Sequence, residues 1–100
     1  MPAYMIVESN VTNPEGFKAY MAAAPAIVAK WGGKYLVRGG ELAVLEGKWT
    51  PKRLTVLEFP TLEKAKGFHA SPEYQKIIAL RQGHAVFNMV AVDGVAAQPG

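Results

Sequence analysis

Two arginines, a glutamate, a histidine and a tyrosine carry most of the chemistry this chain could perform. Arg38 stands at the end of Gly32-Gly33-Lys34-Tyr35-Leu36-Val37-Arg38-Gly39-Gly40, a short apolar strand with paired glycines on either side. Its planar donor fork suits a carboxylate or phosphate, and glycines allow positive φ and close backbone approach beside it. Glu58 lies in Arg53-Leu54-Thr55-Val56-Leu57-Glu58-Phe59 and shares one strand face with Leu54 and Val56. A carboxylate in such company must be paired or protonated. If strands 34–38 and 53–59 form a hairpin, Arg38 and Glu58 could meet as a structural ion pair. The alternatives are an anion clamp at Arg38 and a general base at Glu58 with its pKa raised by burial, and the sequence leaves them open.

His69 falls at the end of a helical segment and is a candidate proton carrier beside Glu58. Against this stands the commoner role of a lone histidine, at a surface or a helix end. Tyr74 and Arg81 lie on one face of residues 72–81 and are candidate ligand contacts with Arg38. Each also has a plain structural reading, Tyr74 as core and Arg81 as a buried stem with an exposed head. No His-x-x-x-His pair and no carboxylate pair at ligand spacing is present, and there is no cysteine, so no metal site is expected. No cofactor is expected either.

These residues need a scaffold, and one hundred residues, half of them apolar, make one domain with a modest core. The net charge is +3, from 11 basic and 8 acidic residues, and the densest basic group, Lys48, Lys52 and Arg53, reads as a solvated loop rather than a nucleic-acid patch. The N-terminal residues lack a basic and apolar leader pattern. No apolar run approaches the roughly 18 residues of a membrane span. A cytoplasmic protein without nucleic-acid or membrane partners is the expectation.

Hydrophobic spacing fixes the elements. Residues 4–10 read as a strand. Asn13 caps and Pro14 opens a helix whose apolar face is Phe17, Tyr20, Met21, Ala24, Val28 and Trp31, with a kink or break expected at Pro25 and a stop at Gly32-Gly33. Strands follow at 34–38 and 53–59, separated by a long connection in which Ala43–Glu46 is a candidate short extended piece. Thr61 and Ser71 each cap a helical segment, and 86–92 form the last strand. Residues 96–100 read as a loose tail beyond a domain of residues 1–95.

The order β-α-β-β-α-β gives an α+β, ferredoxin-like sandwich, a four-stranded antiparallel sheet with its helices on one face. The strands are apolar on both faces: Met5, Ile6 and Val7 run in a row, as do Met89, Val90, Ala91 and Val92. Helices cover only one face, so a homodimer is predicted, with a second copy covering the other.

With these elements placed, the chain resembles the DUF1330 family of the dimeric α/β barrel superfamily. The resemblance rests on Asn-Pro-Glu-Gly at 13–16, Gly-Gly-Lys-Tyr-Leu-Val-Arg-Gly-Gly at 32–40, Leu-Glu-Gly-Lys-Trp at 45–49, Glu-Phe-Pro at 58–60 and Ser-Pro-Glu-Tyr-Gln at 71–75. It implies a dimeric barrel with a pocket between sheet and helices in each subunit. The superfamily includes cofactor-free monooxygenases, lactone isomerases, haem-degrading enzymes and regulatory ligand-binding domains. The implied function is a small-molecule-binding protein or enzyme with a pocket for an anionic metabolite, and the alternative is a sensing domain without catalysis. Asn10, Trp31 and His69 are of the types haem-degrading sites use, but they match no family motif. The RNA-recognition module shares this element order, yet Arg-Leu-Thr-Val-Leu-Glu-Phe lacks that module's basic-Gly-aromatic strand, which sets RNA aside.

Overall fold

The structure is a computed structural model that describes residues 1–95; the predicted tail at 96–100 lies outside the described residues. Its elements are β1 (Ala3–Val11), α1 (Pro14–Lys30), β2 (Lys34–Arg38), β3 (Arg53–Phe59), α2 (Leu62–Ala70), α3 (Pro72–Arg81) and β4 (Ala85–Asp93). The strands make one antiparallel sheet in the order β2-β3-β1-β4. This is the expected ferredoxin-like fold.

The caps explain where the helices start. Asn13 is extended, and its Oδ1 accepts from the Gly16 amide at 3.2 Å, satisfying one of the donors a helix start leaves free. Ser71 ends one helix and begins the next. Its hydroxyl donates to the Phe68 carbonyl at 2.7 Å and accepts from the Tyr74 amide at 3.2 Å. That double role holds the α2–α3 corner and aims Tyr74 at the sheet. Gly32, with φ of 78°, turns the chain out of α1. A side chain on Gly33 would strike Phe59 and Val28, so the chain enters β2 against the core.

The helices cover the sheet face that carries Met5 and Val7 of β1, Thr55, Leu57 and Phe59 of β3, and Phe87, Met89 and Ala91 of β4. Against it pack Phe17, Tyr20, Ala24 and Val28 from α1, Ala65 and Phe68 from α2, and Tyr74 and Ile77 from α3. Aromatic rings dominate this core: Phe59–Phe68 and Phe68–Tyr74 lie 5.3 and 4.6 Å apart, centroid to centroid.

Among the described residues, no helix covers the opposite face. Val37, Val86, Val90 and Val92 lie exposed there, and Ile6, Leu54 and Val56 are half-covered. The β2–β3 connection reaches this side, because Trp49 Nε1 donates to Glu8 Oε2 at 2.9 Å and Asn88 donates to the other Glu8 oxygen at 3.1 Å. Ala43–Glu46 forms no strand: it pairs with neither sheet edge, and Leu45 is 93% exposed.

Two expectations need correction. Pro25 does not break α1, which runs unbroken for 17 residues. Arg38 and Glu58 do not meet. Strict alternation would set Lys34, Leu36 and Arg38 on the face of Glu58. A register shift between Tyr35 and Val37 turns Arg38 over, so that Tyr35 opposes Leu57 and Arg38 opposes Thr55 on the helix side. Bulges re-aim side chains in this way. Glu58 stays on the open face, 3.3 Å from Lys34 Nζ and 3.4 Å from the Tyr4 hydroxyl.

Candidate ligand cleft

A cleft opens between α1 and the helix side of the sheet. Its walls are Met5 and Val7 of β1, Phe17, Tyr20, Met21, Ala24 and Val28 of α1, Tyr35 and Arg38 of β2, Arg53, Thr55 and Leu57 of β3, Phe68, Tyr74, and Phe87 and Met89 of β4. It encloses about 470 Å³ including its mouth, of which about 40 Å³ clears the walls by a water's radius. The site is narrow and almost wholly apolar.

Alternation along β3 explains the charge in it. Thr55, Leu57 and Phe59 face the helices, so Arg53 does as well. Its guanidinium occupies the space beside Gly39, where any side chain on that glycine would collide with it. Gly39 has φ of 70°, and its amide donates to the Leu54 carbonyl at 2.9 Å. Arg38 lies over the Tyr35 ring at 4.6 Å, a cation–π contact. Among the described residues neither Arg38 nor Arg53 has a carboxylate partner.

Arg38 also repairs a defect in α1. Proline has no N–H, so Pro25 cannot bond the carbonyl four residues back, that of Met21. Arg38 Nη2 donates to that carbonyl at 3.2 Å. The bond ties β2 to α1 and lets the helix pass through Pro25 without breaking.

Inside the cleft are the Tyr20 and Tyr74 hydroxyls, 2.7 Å apart and bonded to each other. Burial, reinforced by Tyr74, raises the Tyr20 pKa far above that of a free phenol, and burial also raises Tyr35 despite the opposing charge of Arg38. Tyr20 therefore remains a neutral hydroxyl throughout the ordinary pH range.

Of the residues singled out from the sequence, Arg38 and Tyr74 come together here. Arg81 stands behind the cleft wall, its guanidinium over Phe87 at 4.1 Å and Tyr20 at 5.6 Å, with a buried Nε that has no hydrogen-bond partner among the described residues. Glu58 is on the far side of the sheet. His69 lies exposed at the end of α2, in a shallow groove with Lys66, Met89 and Val90, its ring 5.4 Å from that of Tyr74. The cleft lining contains neither a carboxylate nor a histidine. Arg53 belongs to the cleft, though its sequence neighbourhood reads as a solvated basic loop; its parity with Thr55 and Leu57 was the available signal. Tyr20 and Tyr35 read as core and strand residues, and nothing in the sequence marks them as cleft polar groups. Among the described residues, no three His, Cys, Asp or Glu side chains cluster as a metal site, and no helix is long and apolar enough to cross a membrane.

Solved structures share this architecture. A protein of unknown function from Rhodopseudomonas palustris matches with a TM-score of 0.71 at 18% identity, over 96% of this chain and 84% of that one. SnoaB from Streptomyces nogalater, a cofactor-independent oxygenase, matches with a TM-score of 0.63 at 12% identity, over 99% and 98%. A dimeric ferredoxin-like protein of unknown function from Bacteroides fragilis matches with a TM-score of 0.55 at 16% identity, over 93% and 96%. At these identities the likeness is one of fold. No curated protein matches the sequence. A family model does match, over residues 2–95, and the chain therefore belongs to the DUF1330 family, a domain of unknown function.

Proposed function

We propose that the protein binds a small, largely apolar carboxylate in the cleft between α1 and the sheet. The observation that carries this reading is the pair Arg38 and Arg53, two guanidinium groups that have no carboxylate partner among the described residues, at a largely apolar cavity. An arginine fork binds a carboxylate through two parallel hydrogen bonds, and an apolar site with a few placed polar groups is the usual form of a small-molecule site. Arg81 backs the wall at Tyr20 and tunes it from outside. Glu58 and His69 lie away from the cavity. Among the described residues, the groups in it that could pass a proton to a ligand are tyrosines, and this favours binding over turnover.

A thermal-shift screen of aromatic and aliphatic carboxylates tests the reading. A ligand at 100 times its dissociation constant adds roughly 2.7 kcal/mol of stability. Arg53→Met and Arg38→Met should each weaken the hits. Hits that bind both variants as tightly as the wild type would remove the arginines from the site.

We further propose that the working unit is a homodimer joined through the open sheet face. Val37, Val86, Val90 and Val92 form an exposed apolar surface there on one chain, and no helix among the described residues covers it. A second copy supplies a self-complementary cover through a two-fold axis. The dimeric ferredoxin-like neighbour is consistent with that arrangement.

A further inference from the structure

The carboxylate site is only one end of the cleft. Ser9 of β1 opposes both Arg53 of β3 and Phe87 of β4, so these two lie two strands, about 10 Å, apart, and the Tyr20 ring packs on Phe87 at 5.4 Å. At the inner part of the cleft the Tyr20–Tyr74 pair has hydrogen-bonding capacity to spare. Two phenols carry two protons, and the bond between them uses one. Among the described residues neither hydroxyl has another hydrogen-bond partner. One O–H donor is thus left over in a nearly closed aromatic enclosure of Phe17, Phe68 and Phe87, where Tyr74 is fully buried and Tyr20 is 9% exposed. A buried donor without an acceptor is costly, and a ligand oxygen would remove that cost.

Resting on the carboxylate reading above, we propose that the cleft selects a slim aromatic acid with a second oxygen, hydroxyl or carbonyl, at the end remote from its carboxylate. Arg38 and Arg53 take the carboxylate, and the Tyr20–Tyr74 pair takes the remote oxygen. The aromatic body lies between the phenyl rings and the thioethers of Met5, Met21 and Met89. Those unbranched side chains yield readily, so the narrow cavity can widen around a planar ligand. Burial keeps Tyr20 protonated, so the pair does not lose its spare donor in mildly alkaline solution.

The test compares cinnamate with 4-hydroxycinnamate by NMR titration against the wild type and against Tyr20→Phe/Tyr74→Phe, which deletes both hydroxyls while keeping both rings. The wild type should prefer 4-hydroxycinnamate by roughly tenfold, the effect of one well-made buried hydrogen bond. In the double variant the two ligands should bind with the same affinity as each other. Equal affinities in the wild type would overturn this inference and leave the carboxylate site standing. A preference that survives in the double variant would overturn it as well. Failure of both ligands to bind would overturn the carboxylate reading and this inference together. Should the double variant not fold, intermolecular NOEs in the wild type decide: contacts from the hydroxylated end of the ligand to Tyr20 and Tyr74 support the proposal, and contacts to other residues refute it.

Discussion

Replacing Pro25 with alanine should stabilise the protein and release Arg38 from its duty to α1. A proline inside a helix costs about 3 kcal/mol relative to alanine. Part of that cost is already offset here, because Arg38 Nη2 supplies the Met21 carbonyl with the donor that Pro25 cannot. The arginine is exposed, so the bond contributes about 1 kcal/mol rather than the full value of a buried charged one. Alanine also frees the unfolded chain, which takes back roughly 0.4–1 kcal/mol. The net gain is about 1–2 kcal/mol. At roughly 4–8 °C per kcal/mol for a domain of this size, the melting temperature should rise by about 4–15 °C at fixed protein concentration. The decisive assay is a double-mutant cycle by urea denaturation. Arg38→Met should cost about 1 kcal/mol more while Pro25 is present than in the Pro25→Ala variant, where only its contact over the Tyr35 ring is lost, giving a coupling of about 1 kcal/mol. In the Pro25→Ala background Arg38 no longer divides itself between carbonyl and ligand, so carboxylate affinity should rise by about fivefold. An identical cost of Arg38→Met in both backgrounds would refute the repair of α1 by this arginine.

Other predictions rest on particular contacts. Val90→Asp places a charge on the open sheet face and should convert a wild-type dimer into a monomer in sedimentation velocity; a wild-type monomer at micromolar concentration would contradict the two-fold assembly. Gly39→Ala combines a positive φ with a collision against the Arg53 guanidinium; it should cost about 1–2 kcal/mol in thermal denaturation and weaken carboxylate binding, and unchanged binding would show that Arg53 is not held there. Tyr20 and Tyr35 contribute to the alkaline limb of stability. Both pKa values are raised from 10.0 in the fold, mainly by burial, so above about pH 10 the unfolded chain holds fewer protons than the native one. Their contribution is intact below that pH and is lost as pH rises beyond it. Absorbance at 295 nm should show the Tyr20 phenolate appearing only together with unfolding, and its titration in the folded protein would contradict the buried hydroxyl pair.

The fold was largely legible because its signals are local. Asn13-Pro14 and Ser71-Pro72 mark helix starts, Gly32-Gly33 a helix end, and short apolar runs the strands. The two-sided apolarity of β1 and β4 reflects the open face as well as the helix face. The cleft was legible only in part, because it depends on parity and register. A single register shift after Tyr35 moves Arg38 from the face of Glu58 to that of Thr55, and no residue in Lys34–Arg38 announces it. Arg53 sits in a basic stretch that reads as loop, and only its spacing from Leu57 and Phe59 places it inward. The bond between Arg38 and Met21 joins two features, a proline within a helix and an arginine at a strand end, that are visible separately in the sequence and related only by the packing of β2 against α1. Tyr20 and Tyr74 look like core residues and are core residues; that their hydroxyls meet depends on how α1 and α3 lie across one another.

The central claim is that a carboxylate enters between α1 and β3 and is held by two arginines. The most direct measurement is a titration of the protein, with its arginine Nε–H groups labelled with ¹⁵N, by cinnamate, following side-chain and backbone signals together. The account predicts saturable shifts of the Arg38 and Arg53 Nε–H signals, accompanied by backbone shifts in residues 20–25 and 53–57. Saturable shifts confined to the groove of Lys66 and His69, or to the open face around Val90, with Arg38 and Arg53 unmoved, would contradict it.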